Sequence, residues 1–289
     1  MEQATVRWPQ YVAGLAAAGG ALVTGTALGW SAPAGSRLVD EEQYFPISRT
    51  QFDWVASVFT LGAAISCLPI GFLMKKFGRK WTMLSLALPF MIGWLLVIWA
   101  QNFVMLLIGR FVIGIAGGAF CVSAPQYSAE IAEKEIRGTI GSFFQLLVVT
   151  GILFVYLIGP FMKLFWTNII CAIIPILFAV IFFFMPESPV YLVIENRDEE
   201  AVTSLKWLRG NSYDPQSEID ELKESVDADH EQNISLKDEL KKRSSILGIV
   251  ISFGVMFFQQ MSGINVVIFY ATIIFDVSFS LFFHNHRYH

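Results

Sequence analysis

Residues 71–80 read Gly71-Phe72-Leu73-Met74-Lys75-Lys76-Phe77-Gly78-Arg79-Lys80, a short basic loop between two long apolar runs. Lysine and arginine in short loops decide which side of a bilayer each loop of a membrane protein occupies. This stretch therefore indicates a multi-spanning membrane protein and fixes the direction in which its helices run.

The composition of the whole chain favours a lipid environment. Its 289 residues are 55% hydrophobic and only 15% charged, whereas a soluble domain carries about 25% charged residues. The net charge of -4 comes from acids clustered after Pro186, and no basic stripe indicates a nucleic-acid partner.

Several apolar runs are long enough to cross a bilayer, which takes roughly 20 residues. The first run is too long for a cleavable signal peptide and lacks a small-residue cleavage pattern. Cys67, Cys121 and Cys171 all fall inside the runs, which favours small apolar side chains over a disulfide or metal framework. We place the runs near residues 11–31, 54–74, 82–101, 103–124, 139–159, 165–185 and 246–270.

The loops after the second and fourth runs carry more lysine and arginine than the loops on the opposite side. This bias predicts a cytoplasmic N-terminus. It disfavours a seven-helix receptor, whose N-terminus lies outside the cell. The long polar insert after the sixth run instead divides the chain as six plus one, which suits one half of a transporter followed by the start of a second half.

The segment from Glu187 to about Ser244 is the one soluble piece of the chain. It is either a solvated linker or a set of short amphipathic helices packed under the bundle, and the pattern favours the helices. The sequon Asn233-Ile234-Ser235 lies on the predicted cytoplasmic side, so we expect it to be unmodified. Local signals for the helices are an N-cap at Ser188-Pro189, apolar Leu192, Leu205 and Leu208 on one helix face ending at Gly210, an acidic helix over 218–224, and a capping box at Ser235 with Asp238 and Glu239.

Five motifs occur in an order and spacing that resemble the sugar porter family of the major facilitator superfamily. Within that family the chain is most similar to facilitated trehalose and glucose transporters. The motifs are Gly78-Arg79-Lys80; Arg110 with Gly114, Gly117 and Gly118; 125–132 followed by Arg137-Gly138; Pro186-Glu187-Ser188-Pro189; and 259–265 followed by Phe269-Tyr270.

The resemblance implies an all-α membrane protein with the major facilitator fold, which has twelve helices in two halves. The chain then divides into an N-terminal six-helix half over 1–186, a cytoplasmic helical linker over 187–244, a seventh helix over 245–272 and a divergent tail over 273–289. Because the similarity fades after Thr272, we expect a truncated product. A metal site in the histidine-rich tail is the disfavoured alternative.

The resemblance also implies a cytoplasmic gate formed by Arg79, Glu130, Arg137 and Glu187. Charges at helix ends can pair between helices without entering hydrocarbon, where each would cost several kcal/mol. The alternative is that the basic residues only set topology and bind anionic lipid. Lys75 stands where relatives often carry an acid or asparagine, and Ser-Pro-Val follows Glu187 where arginine is common, so we expect a weaker or differently wired latch.

Uncharged polar residues inside the runs are the candidate sugar ligands. Glutamine and asparagine both donate and accept hydrogen bonds, as sugar hydroxyls do. The resemblance assigns substrate binding to Gln145, Gln259, Gln260 and Asn265, and polar contacts between helices are the alternative.

Two further residues are functional candidates. Arg110 is a basic residue within an apolar run, where a charge is expensive, and an interfacial anchor is its alternative role. Phe269 and Tyr270 either stack on the sugar, close the outer entrance or pack.

The sequence also bears on the energy source. Residues 25–30 contain no ionisable side chain, whereas proton-coupled relatives carry an aspartate in the first helix. No nucleotide-binding loop is present. We therefore expect facilitated diffusion of a neutral sugar, trehalose or glucose, across the plasma membrane, with no enzymatic activity, cofactor or metal. The alternative is a truncated, non-transporting sugar sensor or an interfering partner of a full-length transporter.

Overall fold

The computed structural model describes residues 5–39, 45–231, 243–271 and 274. The secondary structure of these residues is helical, and a 3-10 turn over Gly159–Phe161 follows α7. The helices are α1 (Trp8–Gly29), α2 (Ser31–Val39), α3 (Arg49–Phe77), α4 (Arg79–Ser85), α5 (Ala87–Ile98), α6 (Phe103–Ile131), α7 (Arg137–Ile158), α8 (Leu164–Phe183), α9 (Pro189–Ile194), α10 (Asp198–Arg209), α11 (Gln216–Glu231) and α12 (Arg243–Met261).

Seven helical segments among the described residues are long and apolar enough to cross a membrane, which confirms the predicted all-α membrane fold. Four of them are longer than predicted, and Arg49–Phe77 and Phe103–Ile131 are so because each continues past its apolar run into polar sequence. Two others, Trp8–Val39 and Arg79–Ile98, are each built from a pair of consecutive helices. The predicted domain division remains a prediction.

Local capping explains where two of the long helices begin. Ser48 Oγ accepts a hydrogen bond from the Gln51 amide at 3.2 Å, and Gln51 Oε1 accepts one from the Ser48 amide at 3.0 Å. This reciprocal capping box starts α3, as expected when serine is followed three residues later by glutamine. Asn102 Oδ1 accepts from the Met105 amide at 2.9 Å and starts α6 in the same way.

Close helix crossings hold the bundle together. The helix α1 packs on α7, and α3 packs on α6. A Cβ atom at Gly25 would lie 2.1 Å from the Val148 carbonyl oxygen, and one at Gly114 would lie 2.2 Å from that of Phe59. Small residues let helix backbones approach where lipid removes the hydrophobic drive for association, so glycine is required at both crossings.

An aromatic cluster fills the space between α5, α6 and α8. The Phe120 ring lies 5.7 Å from Phe90 and 5.0 Å from Phe178, and Phe178 stacks on Phe182 at 5.3 Å. These four side chains are buried. Edge-on and offset ring pairs at these distances stabilise a core beyond the area they bury.

The spans alternate in direction, so the bundle has two ends. The Arg79 end carries Gly78–Lys80, the first residues of α1 and α7, and the helices α9, α10 and α11. The Asp53 end carries the start of α3 and the residues between α5 and α6.

The described part of the linker is helical, as predicted, but its first helix is interrupted. Ser188 caps α9, with Pro189 in the first turn, and Gly210 follows α10. The chain turns at Asn196, whose φ is 57°, and the Arg197 amide donates to the Leu192 carbonyl at 2.8 Å. This turn ends α9, so one predicted helix is two. The expected third linker helix, the sequon and all of the tail except residue 274 lie outside the described residues.

The seventh span is also broken. The helix α12 ends at Met261, and a turn at Ser262 and Gly263 precedes a second helical segment over 264–271. Gly263 has φ 72°, a conformation that glycine adopts without steric cost. The predicted continuous run near 246–270 is therefore two segments. No residue of α12 is buried.

Candidate functional site

The Arg79 end contains a cluster of buried charges built around the turn at Gly78. This residue ends α3, begins α4 and has φ 86°. A Cβ atom there would lie 2.4 Å from Glu187 Oε2 and 2.9 Å from the Tyr191 ring. Both the backbone conformation and the close approach of Glu187 therefore require glycine.

Arg79 and Glu130 form the centre of this cluster. Arg79 Nε lies 2.8 Å from Glu130 Oε2, and a second guanidinium nitrogen donates to Glu130 Oε1 at 2.9 Å. The two side chains are 9% and 13% exposed. A two-pronged contact of this kind combines charge with fixed geometry, and it joins the start of α4 to α6.

Glu187 binds backbone rather than a cationic side chain. Its Oε1 accepts hydrogen bonds from the amides of Arg79, Lys80 and Ser188 at 3.0, 2.9 and 2.9 Å. The carboxylate thus sits at the positive N-terminal end of α4. Burial raises the pKa of Glu187, while the three amide hydrogen bonds and the Arg79 charge oppose that shift.

Three residues not predicted to act in the gate complete the cluster. Ser188 Oγ donates to Glu130 Oε2, and Tyr127 Oη donates to the Pro186 carbonyl at 2.8 Å. The Arg79 guanidinium lies 5.2 Å from the centre of the Tyr191 ring. Ser188, which stands directly after Glu187, thus contacts Glu130, and the expectation of a weaker or differently wired latch stays a prediction. Tyr127 and Ser188 belong to the motifs at 125–132 and 186–189, and this membership was the sequence signal for them. Tyr191 belongs to no motif.

Arg137 does not join the Arg79–Glu130 ion pair in the described part of the chain. It is exposed, and its guanidinium donates to the Ala132 carbonyl at 3.4 Å. It lines an open cleft of about 1010 Å³ that Glu130 also lines. Three of the four predicted gate residues therefore come together, and the fourth faces the neighbouring cleft.

Arg110 is buried inside the bundle, with 0% of its surface exposed, and does not lie at an exposed interface. Its guanidinium donates to the Ala27 carbonyl at 2.8 Å and to Ser31 Oγ at 3.0 Å. It also lies 4.7 Å from the Trp30 ring and 4.9 Å from the Phe59 ring. The C-terminal carbonyls of α1 and two aromatic faces therefore stabilise the charge.

We expect Arg110→Lys to lower the free energy of unfolding by about 1–2 kcal/mol. An ammonium group cannot reproduce the planar fork that reaches Ala27 and Ser31 while lying between two rings. Thermal unfolding of the purified chain in detergent measures the change, with the exposed Arg197→Lys as control. Equal effects of the two substitutions would contradict a buried, geometry-dependent role for Arg110.

The structure brings together two of the four predicted sugar ligands. Asn265 Nδ2 donates to Gln260 Oε1 at 2.8 Å across the break in the seventh span. Gln259 is exposed on α12, and Gln145 is exposed on α7. No hydrogen bond among the described contacts joins Gln145 to the seventh span.

The second segment of the seventh span contacts the bundle of the first six spans (the first bundle) at the Asp53 end. Tyr270 Oη donates to Asp53 Oδ1 at 2.7 Å, and Tyr156 Oη donates to the Ile268 carbonyl. Asp53 and Tyr156 were not predicted, because neither belongs to a motif. The two contacts join residues 264–271 to the start of α3 and to α7.

We expect Asp53→Asn to raise hydrogen exchange of the amides in 264–271 by roughly tenfold, since a hydrogen bond to a charged group contributes about 1.5–3 kcal/mol. Tyr270→Phe should have a similar effect. Mass-spectrometric exchange on the whole chain measures it, with Asp220→Asn on α11 as control. Unchanged exchange of this segment in both variants would rule out the contact.

The described residues offer no metal centre. They contain no group of three or more histidine, cysteine or carboxylate side chains that could hold an ion. Cys67, Cys121 and Cys171 are free thiols.

The chain belongs to the family described as "Sugar (and other) transporter", whose family model matches residues 13–278. That match covers the bundle, the Arg79 cluster and both segments of the seventh span.

Insect transporters are among its curated relatives. The chain is 36% identical over 270 residues to the facilitated trehalose transporter Tret1 of Drosophila grimshawi, and the match covers 93% of this chain and 29% of that protein. It is 34% identical over 271 residues to Tret1 of Aedes aegypti, covering 93% of this chain and 34% of the relative. The chain thus spans about a third of the length of the curated relatives it matches.

Solved structures of the xylose transporter XylE from E. coli share the fold. The partially occluded inward-open form matches with a TM-score of 0.75 at 23% identity, over 91% of this chain and 66% of that chain. The inward-open form matches with a TM-score of 0.72 at 24% identity, over 90% and 64% of the two chains. These matches confirm the predicted major facilitator fold.

Proposed function

We propose that this chain is the gating and part of the substrate-binding region of a facilitative transporter for a neutral sugar. The observation that carries the proposal is the Arg79–Glu130–Glu187 cluster, which joins the start of α4 to α6 and to the residue before the α9 cap in a chain of the sugar-transporter family. Buried charges at the end of a span are costly unless paired. A pair that forms and separates in a transport cycle accounts for their position.

The proposed location is the plasma membrane. The proposed orientation places the Arg79 end on its cytoplasmic side. The loops at that end carry Lys75, Lys76, Arg79 and Lys80. Basic residues in short loops are retained on the cytoplasmic side. The N-terminus and the linker helices α9–α11 then lie in the cytoplasm, and Asp53 faces outward.

The proposed cycle has a gate at the cytoplasmic end. At the cytoplasmic end, the Arg79–Glu130 pair and the Glu187 amide contacts hold the first bundle closed, and they separate when the end opens. Arg137, exposed in the adjacent cleft, is free to meet the second half of the transporter. Alternating access of this kind occurs by rocking of two halves around a central site.

The proposed substrate is trehalose or glucose, in line with the names of the curated relatives. Its hydroxyls would bind Gln145, Gln259, Gln260 and Asn265, which both donate and accept. Gln260 and Asn265 already share a hydrogen bond of 2.8 Å beside the break in the seventh span. A sugar hydroxyl can insert between them or accept from Asn265 in place of Gln260.

The proposed transport is passive. No carboxylate among the described residues pairs with the buried Arg110; a carbonyl, a hydroxyl and two aromatic rings surround it instead. Proton coupling needs a titratable group in the pathway, and residues 25–30 of the first span carry none.

Uptake of radiolabelled trehalose and glucose in transport-null cells tests the function, with surface delivery verified. Two proteins are compared: this chain, and this chain joined to helices eight to twelve of a related transporter. We expect uptake by the fusion. If neither protein takes up sugar despite verified surface delivery, the transport function is rejected. A sugar sensor or an interfering partner of a full-length transporter is then the remaining function.

The sugar site is tested in the same fusion by exchanging glutamine for leucine. We expect Gln145→Leu and Gln259→Leu to raise the half-saturating sugar concentration at least tenfold, since one lost hydrogen bond contributes about 1.4 kcal/mol. The matched control is Gln101→Leu, an exposed glutamine between α5 and α6. Equal effects of all three substitutions would contradict the assigned site.

A further inference from the structure

A second junction lies at the Arg79 end, separate from the Arg79–Glu130–Glu187 cluster. There the residues before α1 run alongside the end of α10. The Val6 amide donates to the Arg209 carbonyl at 2.8 Å. The Val6 side chain also packs on Gly210, where a Cβ atom would lie 3.5 Å from Val6 Cβ. The N-terminal segment therefore contacts the linker directly.

Glu133, just beyond α6, is the common acceptor at this junction. Its Oε1 accepts from Gln10 Nε2 at 2.9 Å and lies 3.5 Å from Arg209 Nε. Its Oε2 accepts from Arg7 Nε at 3.2 Å, and its amide donates to Gln10 Oε1 at 3.0 Å. One carboxylate thus binds side chains from the N-terminal segment, from α1 and from α10.

Apart from Arg7, whose side chain is 47% exposed, the junction is buried, so the loss of one partner leaves a polar group without its contact. Gln10 is 0% exposed, and the Arg209 and Glu133 side chains are 3% and 12% exposed. Arg209 also donates to the Ile131 carbonyl at 2.8 Å and to Glu218 Oε1 at 3.0 Å. A charge this deeply buried is costly once a partner is removed. The N-terminal segment, α6, α10 and α11 are therefore tied through two neighbouring charges.

We propose that Glu133 is a positioning residue that locks the N-terminal segment, the end of α6 and the linker helices into one rigid unit. The inference rests on the proposed transport function: when the cytoplasmic end opens, the linker travels with the first bundle and separates from the second half. The two charge clusters then have different tasks. The Arg79 cluster opens and closes, and the Glu133 junction stays closed throughout the cycle.

Cross-linking tests whether the junction stays closed. In the fusion with Cys67, Cys121 and Cys171 replaced by alanine, Val6→Cys and Gly210→Cys place two Cβ atoms at a separation that a disulfide spans. We expect the oxidised protein to retain uptake within twofold of its reduced form. Loss of uptake on oxidation, restored by reductant, would show that the N-terminal segment and linker separate during transport and would overturn the proposal.

Hydrogen exchange tests Glu133 itself and does not depend on transport or on the strained Gly210 position. In the whole chain, we expect Glu133→Ala to raise exchange at least tenfold in both the 5–8 and 198–209 amides. Glu133→Gln, which keeps the Gln10 contacts, should be intermediate. Glu135→Ala is the matched control, since that side chain is 56% exposed and 3.9 Å from Arg7. Unchanged exchange, or exchange raised in only one segment, would overturn the role of Glu133.

In the fusion, Glu133→Gln separates positioning from sugar binding. We expect the maximal uptake rate to fall at least threefold with the half-saturating sugar concentration unchanged, because the sugar site is on other helices. Glu135→Gln should change neither. A shift in half-saturation with an unchanged maximal rate would contradict a positioning role. If the unmodified fusion fails to transport, the exchange experiment alone still decides whether the junction exists.

Discussion

Gly25→Val is expected to prevent the folded bundle from accumulating. The added Cβ would lie 2.1 Å from the Val148 carbonyl oxygen and 2.9 Å from its carbon, both backbone atoms of α7. Relief requires α1 and α7 to move apart along their whole crossing, where Gly151 also approaches Leu22. Overpacking against side chains costs about 1–3 kcal/mol, and a backbone collision leaves fewer ways to relax.

Size-exclusion chromatography of the detergent-extracted chain measures this effect as the monodisperse fraction. Gly254→Val on α12 is the matched control, because no atom lies within 4 Å of a Cβ placed there. We expect the control to remain monodisperse and Gly25→Val to aggregate or to be degraded. A monodisperse Gly25→Val protein with the melting temperature of the parent would refute the α1–α7 crossing.

Arg79→Gln is expected to lower the free energy of unfolding by about 3–5 kcal/mol, the range for breaking a buried ion pair. The substitution leaves Glu130, only 13% exposed, facing Ser188 and Gln126 without a cation. It also removes the contact with the Tyr191 ring. Chemical unfolding of the purified chain in detergent measures the change.

A double-mutant cycle isolates the interaction energy of the Arg79–Glu130 pair from the other effects of each substitution. Glu130→Gln should cost much less in the Arg79→Gln background than in the parent, with a coupling of about 2 kcal/mol. Arg197→Gln is the control, since its partner Glu200 and Arg197 itself are 57% and 48% exposed and such pairs contribute little. Additive effects at Arg79 and Glu130 would mean that their contact of 2.8 Å carries no energy.

The sequence was most informative where a short pattern determines one local structure. Apolar runs of sufficient length could only be spans, and Ser188-Pro189 could be recognised as a helix start. The short basic loop expected between the second and third runs is a turn at Gly78, with φ 86°, because α3 continues to Phe77 and α4 begins at Arg79. These features depend on residues next to one another in the chain, so their consequences are local.

The sequence was least informative about which charges meet. Glu130, Glu133 and Glu135 lie within a few residues of the same helix end, the end of α6 at Ile131, and spacing alone does not assign their partners. Glu130 binds Arg79, and Glu133 binds Gln10 and Arg209 from distant parts of the chain. Asp53 and Tyr270 are likewise far apart in sequence. Such pairs depend on how the helices pack.

The most direct test of the central claim is labelled sugar uptake into proteoliposomes containing the purified fusion, with and without an imposed proton gradient. A facilitative sugar transporter predicts entry of trehalose or glucose above empty liposomes, to the outside concentration and no further, whether or not the gradient is present. Entry that requires the gradient, accumulation above the outside concentration, or no entry at all would contradict it.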